Sequence, residues 1–319
     1  MRKTLNKEHI EGRIYEHNLA VKKVQNKESS NYGKDFIGGT LDIATDDGCL
    51  NIVTVTFTYV TELTSKNNKN ETYAALKNII ENGKTVLVDG MEAATMVKVD
   101  TALGLNDFYT SKNGQDTLVS AKRNEGGFVH IVKSLSEPSK RNTFEMDMLI
   151  NGTKLVEANP EKDIEEYLVV KGAVFNFRNA ILPVEFVVKN PNGIKYFESL
   201  DASTSNMTFT KVWGKICSET IKSVKTEESK FGEAKVTEYE RVIKEWVITG
   251  TANETYEIDD EQNGITLEEV KKAIADREFY LADVKKKQDE YQASKNSASA
   301  NNAAFSGAGV TAQNGGFNF

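Results

Sequence analysis

Several features that would announce a chemistry are scarce or missing in this chain. Two cysteines, Cys49 and Cys217, stand in 319 residues, which rules out a disulfide framework and fits idle thiols in a reducing compartment. The three histidines, His9, His17 and His130, are scattered without the spacing of metal ligands, so no zinc site is expected. No GxxxxGK[ST], GxSxG, HExxH or CxxC occurs, and the phosphate-loop, hydrolase, metalloprotease and redox motifs are absent with them. The acidic pairs Asp46-Asp47, Glu165-Glu166 and Asp259-Asp260 lack a basic partner spaced for catalysis and read as solvated surface. No enzyme, cofactor or metal is expected. No apolar run approaches the ~18 residues of a membrane span. The opening MRKTLNKEHIEGRIY has no apolar stretch behind its basic residues, so a secretory signal is not expected and the chain reads as cytoplasmic. A basic excess is missing too. Lys and Arg number 40 against 47 Asp and Glu, a net charge of −7. Any contact with a phosphate backbone would rest on a local basic face.

What is present is a pattern that occurs twice. From Ile10 to Val132, and again from Phe144 to about Thr251, three strand-like runs precede a short helical run, and two more strands follow. The first copy reads IEGRIYEHNLAVKKV, KDFIGGTLDIAT and LNIVTVTFTYVT, then the helix NETYAALKNIIEN, then MVKVDTALGLNDFYT and TLVSAKRNEGGFVHIV. The second reads TFEMDMLINGTKLVEA, EEYLVVKGAVFNFR and AILPVEFVVKN, then GIKYFESL, then FTKVWGKICSETIKSV and AKVTEYERVIKEWVITGT. Residue-level echoes are weak: GTLDIAT against GAVFNFR, and VTFTYV against VEFVVK. The shared order of six elements is harder to reach by chance. Five strands with a helix after the third is the element order of the OB-fold, a small barrel that commonly binds extended ligands. The expected class is mainly β: two tandem five-stranded OB-fold barrels, a C-terminal helix and a disordered tail.

The expected domains are residues 1–137 and 142–257, separated by a short linker at Pro138 to Arg141. Asn113-Gly114 is a hairpin signal between the fourth and fifth strands. The glycine pairs Gly38-Gly39 and Gly126-Gly127 fall inside strand patterns and read as bulges or bends. After the second copy, residues 258–292 form an acidic amphipathic helix, opened by a capping box of Thr266 and Glu269. Its apolar stripe is expected to pack on the second barrel. Residues 293–319 are rich in Asn, Ala, Ser and Gly, end in Phe317 and Phe319, and are expected to stay disordered.

Tandem barrels, an acidic helix and a glycine-rich tail ending in phenylalanine resemble the single-stranded DNA-binding proteins, particularly those of phages. The pairing of two OB-folds also resembles replication protein A. The likeness covers about residues 8–252 in architecture and the tail in composition. It implies single-stranded DNA as partner, with roles in replication, recombination or repair and protein partners reached through the tail. One departure matters: the bacterial proteins end in a strongly acidic tip, and Asn314 to Phe319 carry no acidic side chain. The competing reading is a virion structural or assembly protein, such as a tail or baseplate component, whose barrels make protein contacts alone.

A barrel face that grips a single strand needs exposed aromatics for stacking and cations for phosphates. On the first strand Ile10, Gly12 and Ile14 read as core, leaving Arg13, Tyr15 and His17 outward. Lys34 closes the loop of residues 25–34, and Lys122 and Arg123 follow the hairpin. In the second copy Val170, Gly172 and Val174 share one face. Lys171, Phe175 and Phe177 share the other, beside Arg178, and either face could be the inner one. Lys211, Trp213 and Lys215 alternate onto one face. There the tryptophan is either a stacking platform between lysines or a core residue flanked by them.

Overall fold

The computed structural model describes residues 4–112, 115–160, 164–257 and 264–305. The first repeat comprises β1 (Asn6–His17), β2 (Ala20–Lys23), β3 (Asp35–Ala44) and β4 (Ile52–Thr61). Helices α1 (Glu71–Asn82) and α2 (Val86–Asp89) follow, then β5 (Met96–Lys112) and β6 (Gln115–Ile131). The second comprises β7 (Asn142–Val156), β8 (Tyr167–Phe175), β9 (Ile181–Val188), α3 (Pro191–Ser199), β10 (Thr208–Glu227) and β11 (Lys235–Thr251), with α4 (Leu267–Phe305) after it.

Both repeats close. β1 pairs with β3 and with β5, β3 with β4, and β4 runs parallel to β6, while β6 neighbours β5. In the second repeat β7 pairs with β8 and β10, β8 with β9, and β10 with β11. A parallel bridge between Val187 and Val247 joins β9 to β11. β2 continues the pairing of β1 along β3, so each ring closes with five strand positions, and its helical segment lies between the third and fourth, the element order predicted from the sequence. Alternation fills the interior: Ile10, Ile14, Leu41, Val55, Val97 and Val99 in the first ring, Met146, Val170, Phe186 and Val212 in the second. α1 starts on an Asn70 cap that accepts from the Thr72 N–H and buries Tyr73, Leu76 and Ile79 beneath its ring, as a helix with an apolar stripe should.

A bulge interrupts β3 between Ile37 and Gly39. Gly39 has a φ of 147°, and a Cβ there would lie 2.6 Å from the Asn18 carbonyl oxygen. Only glycine fits that crossing.

The rings are joined by backbone. β1 and β7 pair from Asn6 opposite Met146 to Ile10 opposite Asn142, so one sheet of eleven strands runs through both. A single buried cluster includes residues of both rings.

The described residues form two compact units, 4–105 with 122–274 and 106–121 with 275–305. In the first unit, the start of α4 closes a smaller apolar cluster. Val270 and Ala273 pack there with Ile265, Phe175, Phe209 and Leu149. Thr266 and Glu269 exchange hydrogen bonds of 3.1 and 3.2 Å, the capping box expected. In the second unit, the tip of the β5–β6 hairpin holds the rest of the helix. Arg277 grips Asp107 at 2.8 and 3.3 Å, Lys285 meets Asp116 at 2.7 Å, and the Gln288 amide pairs with both backbone groups of Tyr109.

α4 runs through Phe305, along a stretch, 293–305, that is rich in alanine and holds no glycine or proline. Phe317 and Phe319 lie outside the described residues, as do Asn113 and Gly114.

Candidate nucleic-acid interface

The β1–β7 seam lays one outward face across both rings. β10 contributes Lys211, Trp213 and Lys215; β7 contributes Glu145 and Thr143; β1 contributes Lys7 and His9; β5 contributes Lys98 and Asp100. The register places Trp213 opposite Glu145, Glu145 opposite Lys7, and His9 opposite both Thr143 and Asp100. Of these, Trp213, Glu145, Thr143, Lys7, His9, Lys98 and Asp100 border a groove of about 500 Å³ that reaches Glu8 and Phe144 at its base. The next strand, β6, carries Phe128 and His130 on either side of core residue Val129, with Phe128 66% exposed. Five neighbouring strands span ~19 Å at ~4.8 Å each, with an exposed aromatic on each outer strand.

Trp213 is 40% exposed and rests on Gly250, where a Cβ would fall 2.4 Å from the indole nitrogen. The flanking lysines are engaged. Lys211 pairs with Glu145 at 3.1 Å, and this bond raises its pKa. Lys215 donates to the Ser139 carbonyl and to Asn142 Oδ1, and burial lowers its pKa. His9 sits between two carboxylates, Asp100 at 3.1 Å and Glu11 at 3.2 Å. Lys7 and Lys98 make no ion pair among the described residues and are the groove's available cations. Charge on this face is mixed, so stacking must dominate any grip.

A second patch lies on the first ring at the β3–β4 end. Phe36 and Tyr59 lie with ring centroids 4.8 Å apart beside a depression of about 670 Å³ that Lys23, Lys34, Asn31 and Tyr59 help to line. Lys34 donates to Asn31 Oδ1 at 3.0 Å, and Lys23 pairs with Asp35 at 2.8 Å.

Other predicted residues lie apart from the groove. Arg13 turns its guanidinium onto the carbonyls of Glu92 and Ala94, and Tyr15 is half-buried. His17 departs from the outward face expected of it. A bulge between Ile14 and Glu16 shifts the register and sets His17 opposite Leu41, a core residue; its Nδ1 is buried with no hydrogen-bond partner among the described residues and burial lowers its pKa. Lys122 is a correction of another kind. It wedges between the rings, with its Nζ 4.8 Å from the Trp246 ring centroid and donating to the Glu185 carbonyl at 2.7 Å. Burial, the largest effect, pushes its pKa down to about 8. Its neighbour Arg123 is held by Glu125 at 2.8 Å.

Phe175 is also a correction. It is fully buried, because β8 is covered on both faces at that point, by the ring interior on one side and by the start of α4 on the other. Phe177 has left the strand for the β8–β9 turn, where it is 80% exposed with the Arg178 guanidinium 5.1 Å from its ring centroid. Lys171 projects from β8 toward Glu185, 3.6 Å away.

The sequence reading missed Lys7 and His9 because it began the first strand at Ile10. Two residues earlier, the same alternation extends the Glu11 and Arg13 stripe onto them. Lys98 has no local signal, since only the β1–β5 register brings it to the groove.

Two closed rings of strands with aromatic and cationic side chains on their outer faces define a mainly β protein of barrel-like fold. The profile of the YorF family matches residues 5–291, and the chain belongs to that family. No curated protein matches it. Among solved structures, it is similar to a deletion mutant of the single-stranded DNA binding protein from Thermus aquaticus. The TM-score is 0.43 and the identity 11%, over 82% of this chain and 100% of that one.

Proposed function

We propose that this protein binds single-stranded DNA without catalysis, coating unpaired strands during replication, recombination or repair, in a phage setting. The observation that carries the reading is the outward groove centred on Trp213, which crosses from one barrel to the other without a break in the sheet. Bases stack on Trp213 at one side and Phe128 at the other, while Lys7 and Lys98 meet phosphates between them. The Phe36–Tyr59 patch with Lys34 extends the path along the first barrel. The tail ending in Phe317 and Phe319 contacts partner proteins, a role supported by its sequence alone.

The test is fluorescence anisotropy of a labelled oligo-dT against a duplex of equal length. Preferential binding of the single strand is expected, with a shallow salt slope because so few cations are available. Trp213→Ala should weaken binding by ~1–3 kcal/mol, roughly 5- to 150-fold. Since Trp246 is buried, quenching of tryptophan emission by bound DNA should report Trp213. Unchanged affinity in a folded Trp213→Ala variant would remove this groove from the path, and no binding at low salt would sink the reading altogether.

A further inference from the structure

Where β4 and β6 of the first ring meet β10 and β11 of the second, a cleft of about 110 Å³ opens. Three cations line it, Lys122, Arg123 and Lys244, together with the hydroxyl-bearing Thr54, Thr56 and Ser218. No carboxylate is among its described lining residues, in a chain whose acids outnumber its bases by 47 to 40. The walls are fixed from both rings. The Asn51 amide accepts from the Ser218 N–H at 2.6 Å and donates to the Ile216 carbonyl at 3.2 Å, and Asn142 donates to the same carbonyl at 2.8 Å. Trp246 and Cys217 also line the space.

The cations of the cleft are only partly neutralised. Lys122 sits in a buried position that works against its charge, with Glu185 and Glu245 compensating only in part. Glu125 holds Arg123. Lys244, opposite Ser218 in the register, makes no ion pair among the described residues. An oxyanion here would gain charge-assisted contacts from Lys122 and Lys244 and the hydroxyls, and would relieve the cost of burying Lys122. The volume admits one phosphate group with a little water, whose share of liquid volume is ~30 Å³ per molecule.

We propose that this inter-barrel cleft holds a single phosphate group. On the reading of the preceding subsection, on which this part rests, that group belongs to the backbone of the bound strand. It seats the strand at the joint between the barrels, away from the stacking groove.

Cys217 gives a direct readout. In a Cys49→Ser background, the rate at which neutral iodoacetamide alkylates Cys217 is followed with inorganic phosphate, with chloride at equal ionic strength, and with oligo-dT. Phosphate and oligo-dT should each slow the reaction several-fold, and chloride should not. Lys244→Glu, at an exposed position, should abolish the phosphate effect. It should also reduce the salt slope of oligo-dT binding by about 0.7, the share of one phosphate contact on a single strand. Lys244→Gln should give an intermediate loss, and thermal melts of both variants verify folding. If oligo-dT binds Lys244→Glu with the parental slope and neither phosphate nor oligo-dT protects Cys217, the cleft is not a phosphate site, although strand binding stands. Equal protection by phosphate and chloride would also overturn it. Protection by phosphate with no oligo-dT binding would support the cleft as a site for free phosphate and reject the strand reading.

Discussion

Glu8 shows how much one buried side chain can govern. It lies on β1 of the first ring, fully buried, and accepts hydrogen bonds from Trp246 Nε1 of the second ring and from Thr101, each at 2.8 Å. Burial raises its pKa from 4.5 to about 7; the two hydrogen bonds oppose the rise and the nearby Glu125 adds to it. A carboxyl that binds its proton more tightly when folded stabilises the fold fully below the unfolded value. That contribution is lost as pH rises from about 4.5 through about 7. The loss is on the order of 3 kcal/mol. Urea melts across this range should therefore show stability falling with pH in the parent, and a flatter profile in Glu8→Gln. A second contrast lies along β8. Phe175→Ala should destabilise by ~3–5 kcal/mol, a buried aromatic deleted. Phe177→Ala should change stability by less than ~0.5 kcal/mol. Alternation in the sequence put these two phenylalanines on one face and left open whether that face was inner or outer. In the structure they part because the strand ends at Phe175, with one covered by α4 and the other in the turn.

The chief element-level feature is α4 and its partners. The Thr266–Glu269 capping box was legible in the sequence because it is a contact three residues long. Thr266→Ala should cost ~1 kcal/mol and fray the first turn, seen as faster amide exchange at Glu269, whose N–H bonds to the Thr266 hydroxyl. Beyond residue 274 the helix is tied to the β5–β6 hairpin tip by contacts no local pattern announces. Arg277 and Asp107 are both largely buried, with side chains 11% and 2% exposed. Arg277→Ala leaves the carboxylate unpaired there and should cost ~3–5 kcal/mol within that unit. Exchange of the Tyr109 amide, which donates to Gln288, should then speed up, and unaltered protection would show that the helix stays docked without the ion pair. An arginine and an aspartate 170 residues apart carry no sequence signature of their pairing.

At the scale of the whole molecule, the seam between β1 and β7 decides what kind of object this is. Two barrels tied by a linker would melt separately. Backbone pairing from Asn6 to Ile10, a shared apolar cluster, and side chains such as Asn51, Glu8 and Lys122 that cross the joint predict one cooperative transition for residues 4–105 with 122–274. Calorimetry with two resolved transitions would contradict it. The sequence by itself determined the two-fold element order, the alternation along each strand, the helix starts and the scarcity of catalytic motifs, because each depends on residues within a few positions of one another. Only the tertiary structure decided that the first strands of the two barrels pair and that Trp213 shares a groove with Lys7 and Lys98. The same holds for Lys122, drawn from the surface into the joint, and for Phe175, buried under α4. Each of those outcomes depends on which distant face covers a given strand, and a strand's pattern of alternation carries no information about what lies across from it.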